Sequence, residues 1–216
     1  MREYKLSPSI YAADFGALRE QIKLLEDSGV ELLHCDVMDG HFVYNMGFGP
    51  AHIKMIKQMT KLPLDVHLMI ERPERMLDQF IDAGADIIMF HQESTNRLYS
   101  CLEKTRLAGR KAGVVLCPAT SIETVRYCLD QCDMILQMTI NPGEDSPFHP
   151  ATLDKIRDLK KMIGDRDIDI EVDGGVTEKN IKLVRDAGAN VFVSGGGVFK
   201  GDVAANIARL REELKG

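Results

Sequence analysis

Three observations predict an α/β fold, a closed (β/α)8 barrel built as a single domain over residues 1–216. Apolar, β-branched runs alternate eight times with segments of helical period, and that alternation argues for a parallel sheet covered by helices. A weak repeat, Asp27-Ser28-Gly29, Asp82-Ala83-Gly84 and Asp186-Ala187-Gly188, recurs at multiples of about 26–27 residues, the size of one strand-plus-helix module. Ser9, His34, Asp36, His67, His91, Met138, Asp173 and Ser194 all fall at the C-terminal ends of strand-like runs, the face that carries the active site in such a barrel. An open, doubly wound sheet is the alternative. It is disfavoured because no glycine-rich dinucleotide fingerprint follows the first strand.

The first strand is read over Lys5–Ser9 and its helix over Phe15–Ser28, with Asp14 at the N-cap and Gly29 past the end. Leu32–Val37 and Leu64–Met69 form the next strands, each feeding a helix, Ala51–Met59 and Pro73–Ala83. Ile87–His91 is followed by a helix over Asn96–Ala108, and Ala112–Cys117 by one over Ile122–Gln131 capped by Ser121. Met134–Met138 leads to Pro150–Ile163; Ile168–Asp173 leads to Glu178–Ala187 behind Thr177; Val191–Ser194 leads to Val203–Leu214. Eight such pairs match a TIM barrel.

Composition narrows the function classes. With 27 basic and 33 acidic residues the net charge is −6, which disfavours nucleic acid or an anionic membrane as partner. No apolar run approaches the roughly 18 residues of a membrane span, and Met1-Arg2-Glu3-Tyr4-Lys5 is followed by no signal-like apolar stretch. Five cysteines without paired spacing read as reduced thiols in a cytoplasmic protein. Cys128 and Cys132 are read as helix packing.

The richest stretch is His34-Cys35-Asp36-Val37-Met38-Asp39-Gly40-His41-Phe42. A period of two puts His34 and Asp36 on one strand face. Asp65-Val66-His67-Leu68-Met69 and Glu171-Val172-Asp173-Gly174-Gly175 repeat the arrangement, with His67 and Asp173 at strand ends. His34, Asp36, His67 and Asp173 together make a mixed nitrogen–oxygen site for one divalent ion: zinc, manganese, iron or cobalt. Such an ion polarises a ketone and stabilises the enediolate formed when the adjacent C–H ionises. Asp36 and Asp173, on opposite faces of that planar intermediate, would remove and return a proton and so invert one carbon. Asp39, before Gly40, is read as a turn residue. Met38, Met69 and Met138 stand beside these positions and are read as a polarizable lining that excludes water. Glycines after the last three strands (Asn141-Pro142-Gly143, Gly174-Gly175, Ser194-Gly195-Gly196-Gly197) form a candidate phosphate cradle of backbone N–H groups.

These residues resemble the ribulose-phosphate 3-epimerase family over essentially the whole chain. The resemblance is carried by Ser7-Pro8-Ser9-Ile10 with Ala13-Asp14-Phe15, His34 through Val43 with Asn45, Asp65 through Met69, Phe90-His91 with Glu93, Met138-Thr139 with Asn141-Pro142-Gly143, Ile170 through Gly175, and Val193-Ser194-Gly195. It implies a (β/α)8 isomerase that interconverts D-ribulose 5-phosphate and D-xylulose 5-phosphate on one divalent ion, zinc foremost, held by His34, Asp36, His67 and Asp173. By the same resemblance Asp36 and Asp173 exchange the roles of proton acceptor and donor, Ser9 and His67 contact substrate, and Gly174, Gly175, Gly195 and Gly196 bind phosphate. A homo-oligomer, dimer or hexamer, is also implied.

The chain departs from the family pattern at three places. Glu144-Asp145-Ser146-Pro147-Phe148 after Gly143 is one residue shorter than usual and doubly acidic, with Ser146 left to donate to phosphate. Tyr44 replaces a usual proline, and Gly196-Gly197 replaces a usual Ser-Ala pair. A 6-phosphohexulose such as D-allulose 6-phosphate is therefore the alternative substrate. The related decarboxylase and hexulose-phosphate synthase type would place a lysine in an Asp-x-Lys-x-x-Asp pattern, and His34 through Asp39 has none. A non-catalytic sugar-phosphate sensor would not need the paired carboxylates.

Overall fold

Alternation along each strand sorts the chain into layers. In β2 (Leu33–Met38), Leu33, Cys35 and Val37 join the apolar layer between sheet and helices, while His34, Asp36 and Met38 take the other face, toward the barrel axis. The computed structural model describes residues 3–215. The remaining strands are β1 (Lys5–Pro8), β3 (Leu64–Met69), β4 (Ile87–His91), β5 (Lys111–Leu116), β6 (Met134–Met138), β7 (Asp169–Asp173) and β8 (Val191–Ser194). All pair in parallel in the order β1-β8-β7-β6-β5-β4-β3-β2, and a parallel bridge between Ser9 and His34 joins the two ends. The result is an eight-stranded, near-closed (β/α)8 barrel.

The helices are α1 (Leu18–Asp27), α2 (Pro50–Lys57), α3 (Leu77–Ala83), α4 (Leu98–Leu107), α5 (Thr152–Ile163), α6 (Ile181–Ala187), α7 (Gly196–Phe199) and α8 (Val203–Lys215). They cover the sheet with Ile22, Leu25, Ile53, Phe80, Ile156 and Ile207, all buried in one apolar layer with outward-facing strand residues such as Val66, Phe90 and Phe192. A second apolar cluster, including Met89, Val115, Leu136 and Met138, fills the barrel interior, so the barrel is a packed core and not a pore.

Several helices start later than periodicity alone indicates. The first begins as a 3₁₀ turn over Phe15–Ala17, where Asp14 accepts a hydrogen bond from Gly16 N–H at 2.9 Å, and the third as a 3₁₀ turn over Pro73–Arg75. Residues Ile122–Gln131 form a 3₁₀ helix throughout instead of an α-helix. Ile122, Val125 and Cys128 are spaced by three and point toward the core layer, which suits three residues per turn. Ser121 does cap this segment, accepting from Glu123 N–H. Thr177 instead serves the turn before α6, accepting from Lys179 N–H at 3.3 Å. The four-residue α7 has no counterpart in the sequence reading.

Stagger also corrects the placement of three site residues. His34 and Asp36 are the second and fourth residues of β2 and His67 the fourth of β3, so none of them stands at a strand end. Strands in a closed barrel are tilted and offset in register. Ser9, just past β1, is therefore level with His34 near the start of β2, and Asp36 is level with His67.

Candidate metal centre and active site

Strands β2, β3 and β7 bring four side chains together. One ligand atom from each of His34, Asp36, His67 and Asp173 lies within 4.8 Å of the others. His34 Nε2 is 3.3 Å from Asp36 Oδ1, and His67 Nδ1 is 3.4 Å from the same oxygen. Asp173 Oδ2 lies 4.0 Å from His34 Nε2 and 3.8 Å from His67 Nδ1. Ligands about 2.0–2.1 Å from a tetrahedral ion stand about 3.3–3.4 Å apart, so the two imidazole–Asp36 edges fit one ion. His34 Nε2 and His67 Nδ1 are fully buried and have no hydrogen-bond partner, as expected of nitrogens whose lone pairs are meant for a cation. These residues fit a divalent metal.

The neighbours hold each ligand in place. The Ser9 hydroxyl donates to Asp36 Oδ2 at 2.5 Å. The loop after β2 folds back so that Phe48 N–H donates to the Asp36 carbonyl at 3.0 Å, and a Cβ at Gly47 would collide with that carbonyl oxygen. Beneath the site, His34 Nδ1 is 2.8 Å from Asp65 Oδ2 and 3.7 Å from Glu171 Oε1. With an ion bound, an N–H donated to Asp65 would leave the Nε2 lone pair for the cluster, the usual carboxylate–histidine–metal arrangement. On the other flank His67 Nε2 meets His91 Nε2 at 2.8 Å, and His91 Nδ1 is 3.3 Å from Glu93 Oε2. Asp65 and Glu171 each stand two residues before a ligand on the same strand face, so period-two reading carried a signal for both. Glu93 lies in a loop, where no period points to it.

Charge separates the two aspartates. Burial opposes ionisation of Asp36, but His34 and His67 outweigh it and hold the carboxyl far below its ordinary range. Burial and the neighbouring carboxylates Asp36 and Asp65 push Asp173 up to about 7, against the pull of His34. Burial disfavours a charged His34 too, yet Asp36 and Asp65 raise its pKa well above the usual value. Glu171 is driven upward by burial and by Asp65.

Above the cluster opens a cavity of about 280 Å³. It is lined by Ser9, Asp36, Asp173, Met38, Met69, Met138, Gly143, Gly174, Gly175, Gly195 and Gly196, together with Glu144 and Asp145. Ser146 lines an adjoining cavity of about 510 Å³ with Gly175, Gly195, Gly196 and Lys200; its hydroxyl is buried and without a partner. His34 and His67 are fully buried below the cavity floor. At Gly174, φ is +115° and a Cβ would meet Ile140 at 2.6 Å, so only glycine lets the backbone turn there directly after Asp173. Gly143 accepts from the Asn45 side chain at 2.8 Å, which ties the acidic loop to the loop after β2.

Two other polar residues at strand ends are structural. Asp39 accepts from His41 N–H, Phe42 N–H and Glu71 N–H at 2.8–2.9 Å. Ser194 donates to the Val176 carbonyl at 2.7 Å. A separate groove of about 890 Å³ between the loops after β3 and β4 is lined by charged residues such as Glu71, Arg72, Arg97 and Lys104, and Glu93 forms part of its wall.

Residues 5–199 match the family model described as the ribulose-phosphate 3 epimerase family. The ribulose-phosphate 3-epimerase of Bacillus subtilis is 44% identical over 199 residues, covering 90% of this chain and 92% of that protein. That of Synechocystis sp. is 44% identical over 216 residues, covering 97% and 94%. Among solved structures, 3-keto-L-gulonate-6-phosphate decarboxylase of Vibrio cholerae superposes with a TM-score of 0.77, covering 100% of this chain and 98% of that one at 12% identity. At that identity the likeness is one of fold.

Proposed function

The chain belongs to the ribulose-phosphate 3-epimerase family, and from that premise we propose which of its residues perform the metal-assisted epimerisation of a pentose phosphate at C3. The observation that carries the reading is the convergence of Asp36 and Asp173 on two buried imidazole nitrogens that have no hydrogen-bond partner.

His34, Asp36, His67 and Asp173 would hold the divalent ion, which would polarise the substrate carbonyl and stabilise enediolate charge. Asp36, kept ionised and oriented by Ser9, takes the C3 proton from one face. Asp173, whose carboxyl burial and the neighbouring carboxylates push up to about 7, returns a proton to the other face. Their roles exchange in the reverse direction, as expected when environments push two carboxyl groups apart. Met38, Met69 and Met138 keep water from the planar intermediate. Backbone N–H groups around Gly174, Gly175, Gly195 and Gly196, with the Ser146 hydroxyl, bind the phosphate. Lys200, whose ammonium curls to within 3.7 Å of a Cβ position at Gly196, offsets the carboxylates of Glu144 and Asp145.

The proposal extends to zinc as the ion, favoured by a donor set of two imidazoles and two carboxylates in which both imidazole–Asp36 edges have tetrahedral spacing. A homo-oligomer, dimer or hexamer, is supported by exposed apolar residues including Phe15, Met46 and Tyr44, the last 96% exposed. Five unpaired cysteines support a cytoplasmic location.

Glu144 and Asp145 on the cavity wall favour one second reading, a 6-phosphohexulose as substrate. Comparing kcat/KM of the metal-loaded enzyme on D-ribulose 5-phosphate and D-allulose 6-phosphate decides between them. Preference for the pentulose is expected. Preference for the hexulose would assign the acidic loop to substrate selection.

A further inference from the structure

The ring of His67 is engaged on both nitrogens. Nδ1 faces Asp36 and Asp173, and Nε2 lies 2.8 Å from His91 Nε2. At that separation one Nε2 carries the hydrogen and the other accepts it. The order is settled one step further out. Glu93 Oε1 accepts from Cys117 N–H at 2.9 Å and from the Thr120 hydroxyl, and Glu93 Oε2 lies 3.3 Å from His91 Nδ1. An ionised carboxylate only accepts. The neutral His91 ring has one hydrogen, and beside Glu93 it belongs on Nδ1. His91 Nε2 is then the acceptor, His67 Nε2 the donor, and His67 Nδ1 is left bare.

We propose that Glu93 is a positioning residue that acts through His91 to fix the tautomer of His67, so that Nδ1 is presented to the cluster as an electron-pair donor. The inference rests on the metal reading of that cluster. Cys117 Sγ lies 3.5 Å from His91 Nδ1, and with Glu93 these three side chains are themselves within ligating distance of a cation. An ion there would need His91 Nδ1 bare. The hydrogens would then run the other way and put N–H on His67 Nδ1, so the two sites exclude one another.

The Glu93→Gln variant tests this with almost no change in shape. Its amide oxygen must stay with Cys117 N–H, which leaves the NH₂ group facing His91 Nδ1. Donation from that group reverses both hydrogens and caps His67 Nδ1. Glu93→Ala removes the acceptor without imposing the reverse order. Affinity for Co²⁺ is measured by chelator competition, and the donor set is read from the visible absorption of the Co²⁺ protein. Glu93→Gln is expected to lose ten- to hundredfold in affinity, with an altered spectrum, and to bind more weakly than Glu93→Ala. A packing role predicts the opposite order. Wild-type affinity in Glu93→Gln, or Ala weaker than Gln, would overturn the inference. Nitrogen-15 spectra of the zinc-loaded wild type give an independent test: hydrogen on His91 Nδ1 and on His67 Nε2 is expected, and hydrogen on His91 Nε2 would refute it. Failure of the wild type to bind Co²⁺ would instead refute the metal reading.

Discussion

At the scale of single residues, the metal site is built from groups that must give up protons to work. Asp173 titrates near 7 and His34 well above its usual value in the metal-free protein. Both bind a proton more tightly than they would when free, and both must release it to coordinate. Metal affinity is thus lost as pH falls. It should drop about tenfold per pH unit below 7 for each proton displaced. Chelator competition between pH 5.5 and 8 measures this, and a flat profile would contradict the protonation states assigned here. The four ligands are legible in sequence because each lies on a strand whose alternation declares its inward face. Asp65 and Glu171 share those faces and were legible by the same rule, yet their partners are not: only the register that sets His34 beside Asp65 shows a carboxylate under the imidazole. Glu93 depends on a loop conformation that no period encodes.

Among elements, β7 carries Asp173 and depends on one buried amide. Asn190 Oδ1 accepts from Ile170 N–H at 2.9 Å, and its Nδ2 donates to Asp169 Oδ1 at 2.8 Å. Asn190→Ala leaves the Ile170 N–H buried and unpaired, which costs about 1–3 kcal/mol. Urea unfolding should show that loss with Co²⁺ affinity unchanged, because Asn190 touches none of the ligands; a cost below about 0.5 kcal/mol would mean β7 is held otherwise. Strand positions follow from apolar runs, and so the eight strands were legible to within a residue or so. Helix starts were less so: Phe15–Ala17 and Pro73–Arg75 keep helical spacing while winding more tightly. Over Ile122–Gln131 a spacing of three is compatible with either helix type, and the segment winds as 3₁₀.

For the whole molecule, closure of the sheet makes the chemistry possible. The bridge between Ser9 and His34 brings the first strand against the second, so that Ser9 reaches Asp36 while β7 delivers Asp173 to the same small volume. Alternation of strands and helices made that closure legible, but the stagger that lowers His34 and His67 below the cavity floor belongs to the closed barrel alone. Among the described residues no helix is long and apolar enough to cross a membrane. The central claim is that two carboxyl groups act on opposite faces of one carbon, and isotope transfer in D₂O tests it most directly. When metal-loaded enzyme converts D-ribulose 5-phosphate in D₂O, the first D-xylulose 5-phosphate formed should carry deuterium at C3, because its new proton comes from a carboxyl group that exchanges with solvent. Retention of the substrate's own hydrogen at C3 would contradict the two-carboxylate account.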